Sequence, residues 1–280
     1  VFSFPEERWE PLFLDDIREL TLSYNGQFFE TKQVGSQRLT MFWESMDVDL
    51  MFVVSWRYMI PPTVYRRPRV GTFVFHDSLL PEYRGFSPTI WAIINGEDHS
   101  GVTLFEIAEE MDAGDIVDQE HVRIGPDDTI AVVMERVTQT YLDLLERNLE
   151  NLINGTAPRY PQDSSRATYT CKQLPEDHRI EWTASSESIF NVIRAVSDPY
   201  PGAYTYLSGQ KMRIWSARRM PDARRYVSRI PGRIIEVRPG EGSVVMTGDG
   251  VLLLTQVQVE DGSSVCAADV LNRISQTFGP

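Results

Sequence analysis

Two short apolar runs, "DLMFVV" ending at Val54 and "GTFVFH" ending at His76, restrict the folds open to this chain more than any other feature. Each has the length of a strand rather than a helix, and each reads as continuously apolar rather than alternating. That is the signature of a strand covered on both faces, as in a parallel sheet. Helix-like stretches flank these runs: one near Leu12–Tyr24, then "SQRLTMFWESM", and after them "SPTIWAIING". In the last, Ser87 and Pro88 suit an N-cap and first turn, and Gly96 suits a stop. Strands alternating with helices predict an α/β layer, Rossmann-like, with a mostly parallel sheet and helices on both faces.

"SGVTLFEIA" and "DIVDQEHVRI" read as two further strands. "DDTIAVVMERVTQTYLDLLERNLENLIN" reads as a long amphipathic helix that begins after an aspartate and ends at Gly155. These limits predict a first domain over 1–155. A proline- and serine-rich linker follows over 156–177, and a second domain over 178–280. After one helix in "RIEWTASSESIFNVIRAVSD", the second domain consists of short strands separated by turn signals, predicting a small β-barrel, OB-like, or a sandwich.

Several function classes lack their marks. No apolar run approaches the ~20 residues of a membrane span. Cys171 and Cys266 do not form a disulfide framework, so a reducing cytoplasm is the expected setting. Four scattered histidines and two distant cysteines offer no metal-ligand spacing, and no metal is expected. GxSxG, HExxH and GxxxxGK[ST] are all missing from the sequence. The net charge of −13 argues against a general nucleic-acid binder, but the segment Lys211–Arg238 carries +7 by itself. That strip suits either phosphate recognition or a solvated loop paired with acidic neighbours.

The strand edge carries the candidate chemistry. His76 closes an apolar run just before the polar turn "DSLLPEYRG", and Asp112 follows the "VTLFEIA" strand in "EEMDAGDIV". A histidine with a carboxylate partner suits acid–base work at neutral pH.

The whole string from His76 to Val117, "HDSLLPEYRGFSPTIWAIINGEDHSGVTLFEIAEEMDAGDIV", closely resembles the core of the folate-dependent formyltransferase family. That family's pattern is a His-x-Ser-Leu-Leu-Pro-x-Tyr-Arg-Gly loop, a Trp-Ala-Ile-x-x-Gly helix, then Gly-Val-Thr and Asp-x-Gly-Asp-Ile. "IEWTASSESIFNVIRAVSDPYPGAYTYLSGQKMRIWSA" and "GDGVLLLTQVQ" are similar to its carboxy-terminal barrel. The resemblance implies transfer of a formyl group from 10-formyltetrahydrofolate to an amine, through a tetrahedral oxyanion. It implies that His76 stabilises the oxyanion or carries protons and that Asp112 positions His76. It places Tyr58, Met59 and Ile60 on one wall of the folate pocket, and Ala108, Glu109, Glu110 and Met111 on the other.

Two departures stand out. The family's active-site asparagine lies two residues before the histidine, where this chain has Val74. The family also opens with a strand and helix ahead of the position of Val1, without which the sheet would lack a middle strand. For the acceptor, the acidic chain and "YRGFSP", which differs from the Arg-Gly-Ala-Ala-Pro of the tRNA enzymes, favour an amino sugar on a nucleotide. The barrel and the +7 strip suit methionyl-tRNA as the alternative, with tRNA meeting the Lys211–Arg238 segment. A non-catalytic folate binder is the third reading, suggested by Val74. A homodimer is compatible with all three.

Overall fold

In the computed structural model, residues 1–7, 10–260 and 262–279 are described. The chain runs β1 (Phe2–Ser3), α1 (Leu14–Ser23), β2 (Phe29–Glu30), α2 (Thr40–Ser45), β3 (Leu50–Val54), α3 (Pro62–Tyr65), β4 (Gly71–His76) and β5 (Arg84–Gly85). It continues through α4 (Pro88–Ile94), β6 (His99–Glu106), β7 (Ile116–Arg123), α5 (Ile130–Ile153) and β8 (Tyr169–Thr170). The remainder is α6 (Ser186–Ala195), β9 (Ala203–Leu207), β10 (Gln210–Arg219), β11 (Ile234–Arg238), β12 (Gly242–Met246), β13 (Val251–Val259), β14 (Val265–Cys266), α7 (Ala267–Val270) and β15 (Phe278–Gly279). Contacts group these into two units. One comprises Val1–Pro88, Ser100–Arg123 and Glu135–Cys171; the other comprises Thr89–His99, Ile124–Met134 and the chain from Lys172 onward.

The first unit is Rossmann-like α/β. Its central sheet has the order β3-β4-β6-β7, and β1 pairs with β2 in a separate two-stranded parallel ladder. β3 and β4 run parallel, in register from Leu50↔Gly71 to Val54↔Phe75, and β6 joins β4 antiparallel, with His76 opposite Thr103. Strand alternation sends successive side chains to opposite faces. Phe73 and Phe75 meet Phe52 on one face, and the Phe75 ring also meets Tyr141 of α5 at 5.3 Å. On the other face, Met51 joins a cluster built on Val34, Leu39, Trp43 and Val64 from α2, α3 and the loop before them. β4 is covered on both faces as its composition predicts. β3 is an edge strand, and its Leu50, Met51 and Phe52 remain half-buried.

Helix α5 buries Val137, Thr140, Leu144, Asn148 and Leu152, a spacing of three or four that lines one helical face. Asn148 and Arg147 anchor that face to Asp118 of β7 at 2.6 and 2.8 Å. At the start of α1, the Glu6 carboxylate accepts hydrogen bonds from the Phe13 and Leu14 backbone N–H groups. These bonds hold Glu6 below the usual carboxylate range.

The second unit is a curled antiparallel half-barrel with strand order β11-β12-β13-β10-β9-β15, and β14 pairs β13. Register shifts around Ser216 on β10 and between Ile234 and Glu236 on β11 bend the sheet. Its two end strands approach through the Arg233–Thr277 bridge. Met212, Ile214, Val245, Leu252, Leu254 and Val257 are buried in this sheet. Trp182 stacks on Phe278 at 4.9 Å and donates its indole N–H to Thr205.

Candidate active site

His76 is the last residue of β4 and only 7% exposed. Apolar neighbours along β4 fix its backbone, and the loop that follows fixes its ring. Thr103, directly across the ladder, ties that loop down. Its hydroxyl donates to Ser78 O at 2.6 Å and accepts from Leu80 N at 3.1 Å and from the Gln119 amide at 2.7 Å. Ser78 donates in turn to Glu82 O. The loop then turns through Tyr83 in the left-handed region, φ 60°, a conformation that non-glycine residues hold only when the surroundings impose it. The turn aims the Tyr83 carbonyl at His76, where it accepts a hydrogen bond from Nε2 at 2.8 Å.

That contact settles the tautomer. A carbonyl only accepts, so Nε2 carries the proton, and in the neutral ring Nδ1 is the bare, basic nitrogen. Nδ1 faces Asp112, with Oδ2 at 3.8 Å. This is too long for a direct hydrogen bond but close enough to stabilise an imidazolium. Asp112 also has a positive φ, 52°, and its Oδ2 accepts the Gly85 N–H at 2.8 Å.

The path to Asp112 differs from a simple meeting of two strand ends. Because β6 is antiparallel to β4, it ends beside the start of β4, where Ile107 N donates to Thr72 O. Residues 108–112 must then double back along β4 to reach His76. Beside the pair, Asp77 is half-buried. Burial pushes its carboxyl up to about 6, with the neighbouring His76 opposing the rise.

Around this pair lies a network that the sequence does not single out. Arg84 is fully buried, the largest side chain so enclosed among the described residues. Its Nε and Nη2 both donate to Gln162 Oε1, at 3.2 and 2.8 Å, and its Nη1 lies 3.5 Å from Glu110. Strand β8 runs parallel to β5, pairing Arg84 with Tyr169 and Gly85 with Thr170. Gly85 has φ +111°, and a Cβ there would collide with the Thr170 carbonyl. The proline- and serine-rich stretch expected as a linker thus lies, as far as Cys171, against the first unit.

The residues placed by resemblance at the folate pocket have different surroundings. The loop after β3 starts level with His76, since Val54 pairs with Phe75. In it, Tyr58 packs edge-on to Phe4 and Trp56, and Ile60 packs on the Trp43 cluster. Met59 is 82% exposed. On the Asp112 side, Glu109, Glu110 and Met111 are exposed and Ala108 is half-buried. Val74 lies half-buried on β4, between Val53 and Phe105 in register, and supplies no hydrogen-bond donor.

In the second unit, seven of the nine basic residues of the Lys211–Arg238 strip are engaged within the unit. Lys211 sits over the Tyr204 ring, and Arg213, Arg229 and Arg233 donate to Glu260 O, Gly248 O and Thr277. Arg218, Arg219 and Arg238 form ion pairs with Glu241, with Asp127 and Glu187, and with Glu236. Only Arg224 and Arg225 have no partner among the described residues.

Comparison with known proteins finds relatives of both halves of the chain. Residues 13–149 match the model of the formyl transferase family, and residues 173–275 match that of the formyl transferase C-terminal domain. Methionyl-tRNA formyltransferase of Fusobacterium nucleatum is 31% identical over 268 residues, covering 96% of this chain and 86% of that protein. Among solved structures, HypX from Aquifex aeolicus in complex with tetrahydrofolic acid superposes with a TM-score of 0.66 at 22% identity. That match covers 96% of this chain, which spans only 46% of HypX. An N-formyltransferase from Helicobacter canadensis, complexed with folinic acid and dTDP-3-aminofucose, gives 0.65 at 19% identity over 86% of this chain and 82% of its own. By sequence across nearly its whole length, the chain belongs to the formyltransferase family.

Proposed function

We propose that the chain transfers the formyl group of 10-formyltetrahydrofolate to the primary amine of a nucleotide-linked amino sugar. The observation that carries this reading is the His76–Asp112 pair at the end of β4, with Nε2 held by the Tyr83 carbonyl and Nδ1 left to work. The donor would supply the activated formyl carbon. Met59 and Met111, exposed on the loops that lead to and from this end of the unit, offer polarizable apolar surface suited to a flat pterin ring.

In the transfer, a C–N bond forms between the amine and the formyl carbon as the bond from that carbon to the folate nitrogen breaks. The amine loses a proton and the folate nitrogen gains one. His76 Nδ1 accepts the first proton, directly or through a water, and returns it to the leaving nitrogen. Asp112 stabilises the imidazolium in the interval. Val74 cannot assist the oxyanion, so the chain works without one donor that its family ordinarily has.

The small acceptor is favoured by the state of the basic strip. Arg218, Arg219 and Arg238, already paired with carboxylates, gain little from a phosphate backbone, while Lys211, Arg213, Arg229 and Arg233 are held by neutral groups and Arg224 and Arg225 have no partner among the described residues. A second reading, methionyl-tRNA as acceptor, is supported by the 31% identity to the Fusobacterium enzyme. The deciding experiment incubates the full chain with the formyl donor and, separately, a panel of nucleotide-linked amino sugars and methionyl-tRNA, with products read by mass. A formylated sugar is expected. Formylation of methionyl-tRNA alone would replace the first reading with the second, and transfer to neither would remove both.

A further inference from the structure

The segment 159–170 lies between the two matched family regions, yet its side chains reach into the site. Arg159 pairs with Glu106 at 2.7 Å, Tyr160 and Ile116 exchange both backbone hydrogen bonds, and Gln162 sits where the two halves of the pair's support meet. The Gln162 amide is fully used. Its Nε2 donates to Asp112 O at 2.9 Å and Gly114 O at 2.7 Å, while its Oε1 takes both Arg84 N–H groups. The opposite amide orientation would set NH2 against a guanidinium and oxygen against two carbonyls, so the arrangement is unambiguous.

One side of this amide holds the turn that presents Asp112, whose left-handed backbone must be stabilised from outside. The other side holds Arg84, whose neighbours supply the remaining contacts: Tyr83 O to His76 and Gly85 N to Asp112. We propose that Gln162 is a positioning residue that sets the distance and orientation between Asp112 and His76, making segment 159–170 part of the active site. This rests on the reading that the pair carries formyl transfer.

The test uses the full chain with Gln162→Glu and Gln162→Met. The Glu variant keeps an acceptor for Arg84 but loses both donors to the carbonyls of the Asp112 turn. Its kcat at about pH 8 should fall on the order of 10–100-fold, the effect of misplacing a catalytic group, with donor KM within about twofold. The Met variant, which loses the acceptor for Arg84 as well as both donors, should fall at least as far. A readout free of turnover is the ¹⁵N resonance of His76 Nδ1 in histidine-labelled protein, expected to move in both variants in the direction it moves in Asp112→Ala. An unchanged kcat in both variants or an unmoved His76 resonance would each overturn the proposal. If the parent protein transfers formyl to no acceptor, the functional reading fails, and the resonance still decides the positioning role.

Discussion

Replacing Asp112 with asparagine isolates the electrostatic part of the proposed mechanism. The side chain keeps its shape, and its oxygen can still accept the Gly85 N–H, so the turn should survive. What disappears is one negative charge 3.8 Å from His76 Nδ1, in a pair whose side chains are only 9% and 17% exposed. At an effective dielectric of about 20, two full charges at that separation interact by about 4 kcal/mol. If about half a positive charge has developed on the imidazole in the transition state, the loss is about 2 kcal/mol, a fall in kcat of about 30-fold; a full charge gives about 1000-fold. The assay is tetrahydrofolate release at saturating donor and acceptor, with urea unfolding as control, where the change should stay within roughly 0.5 kcal/mol. A fall below about threefold in a normally folded variant would refute the reasoning, because it would mean that little positive charge develops on His76 in the transition state.

Three further outcomes follow from the geometry. Gly85→Ala adds a Cβ against the Thr170 carbonyl at φ +111°, so unfolding in urea should show a loss of about 3 kcal/mol from strain and overpacking together, along with reduced turnover. Asp77 has its folded pKa raised from 3.8 to about 6 by burial, so folding is favoured below about pH 4 and stability declines as pH rises from 4 to 6. The full difference is about 3 kcal/mol, trimmed to on the order of 1–2 by the carboxyl's residual exposure; Asp77→Asn should flatten this slope and be the more stable form at pH 7. Val74→Asn restores the side-chain amide two residues before His76, on the same face of β4. It should raise kcat by at least about tenfold, read by product formation, and no gain would mean another donor already serves the oxyanion.

The sequence makes His76 legible because a buried strand must end somewhere, and a histidine followed by a Pro- and Gly-containing turn marks that end. Asp112 is legible only as a carboxylate in a glycine-flanked turn. Its route back to His76 is not, since apolar runs carry no strand direction, and β6 is antiparallel to β4. Arg84 escapes for a different reason. An arginine in a polar turn is expected in water, and full burial of a guanidinium depends on partners distant in the chain, here Gln162 and Tyr169. Gln162 lies in a proline- and serine-rich stretch, where composition signals only irregular backbone. Tyr58 and Ile60 illustrate the converse. Both belong to the loop indicated by resemblance, but their rings and methyl groups are engaged in packing, which leaves Met59 as its free apolar group.

The pairing of β8 with β5 bears on how this protein can be recombined with its relatives. A chimera intended to exchange acceptor preference by swapping carboxy-terminal domains would naturally be cut after α5, a few residues beyond the end of the first family region. Such a cut would separate Arg84 and Gly85 from the Tyr169 and Thr170 with which they are matched, and Asp112 from Gln162. A junction after Cys171 transfers those contacts as one inherited block. Homologous exchange, in the laboratory or between genomes, should therefore yield active hybrids far more often with the later crossover than with the earlier one.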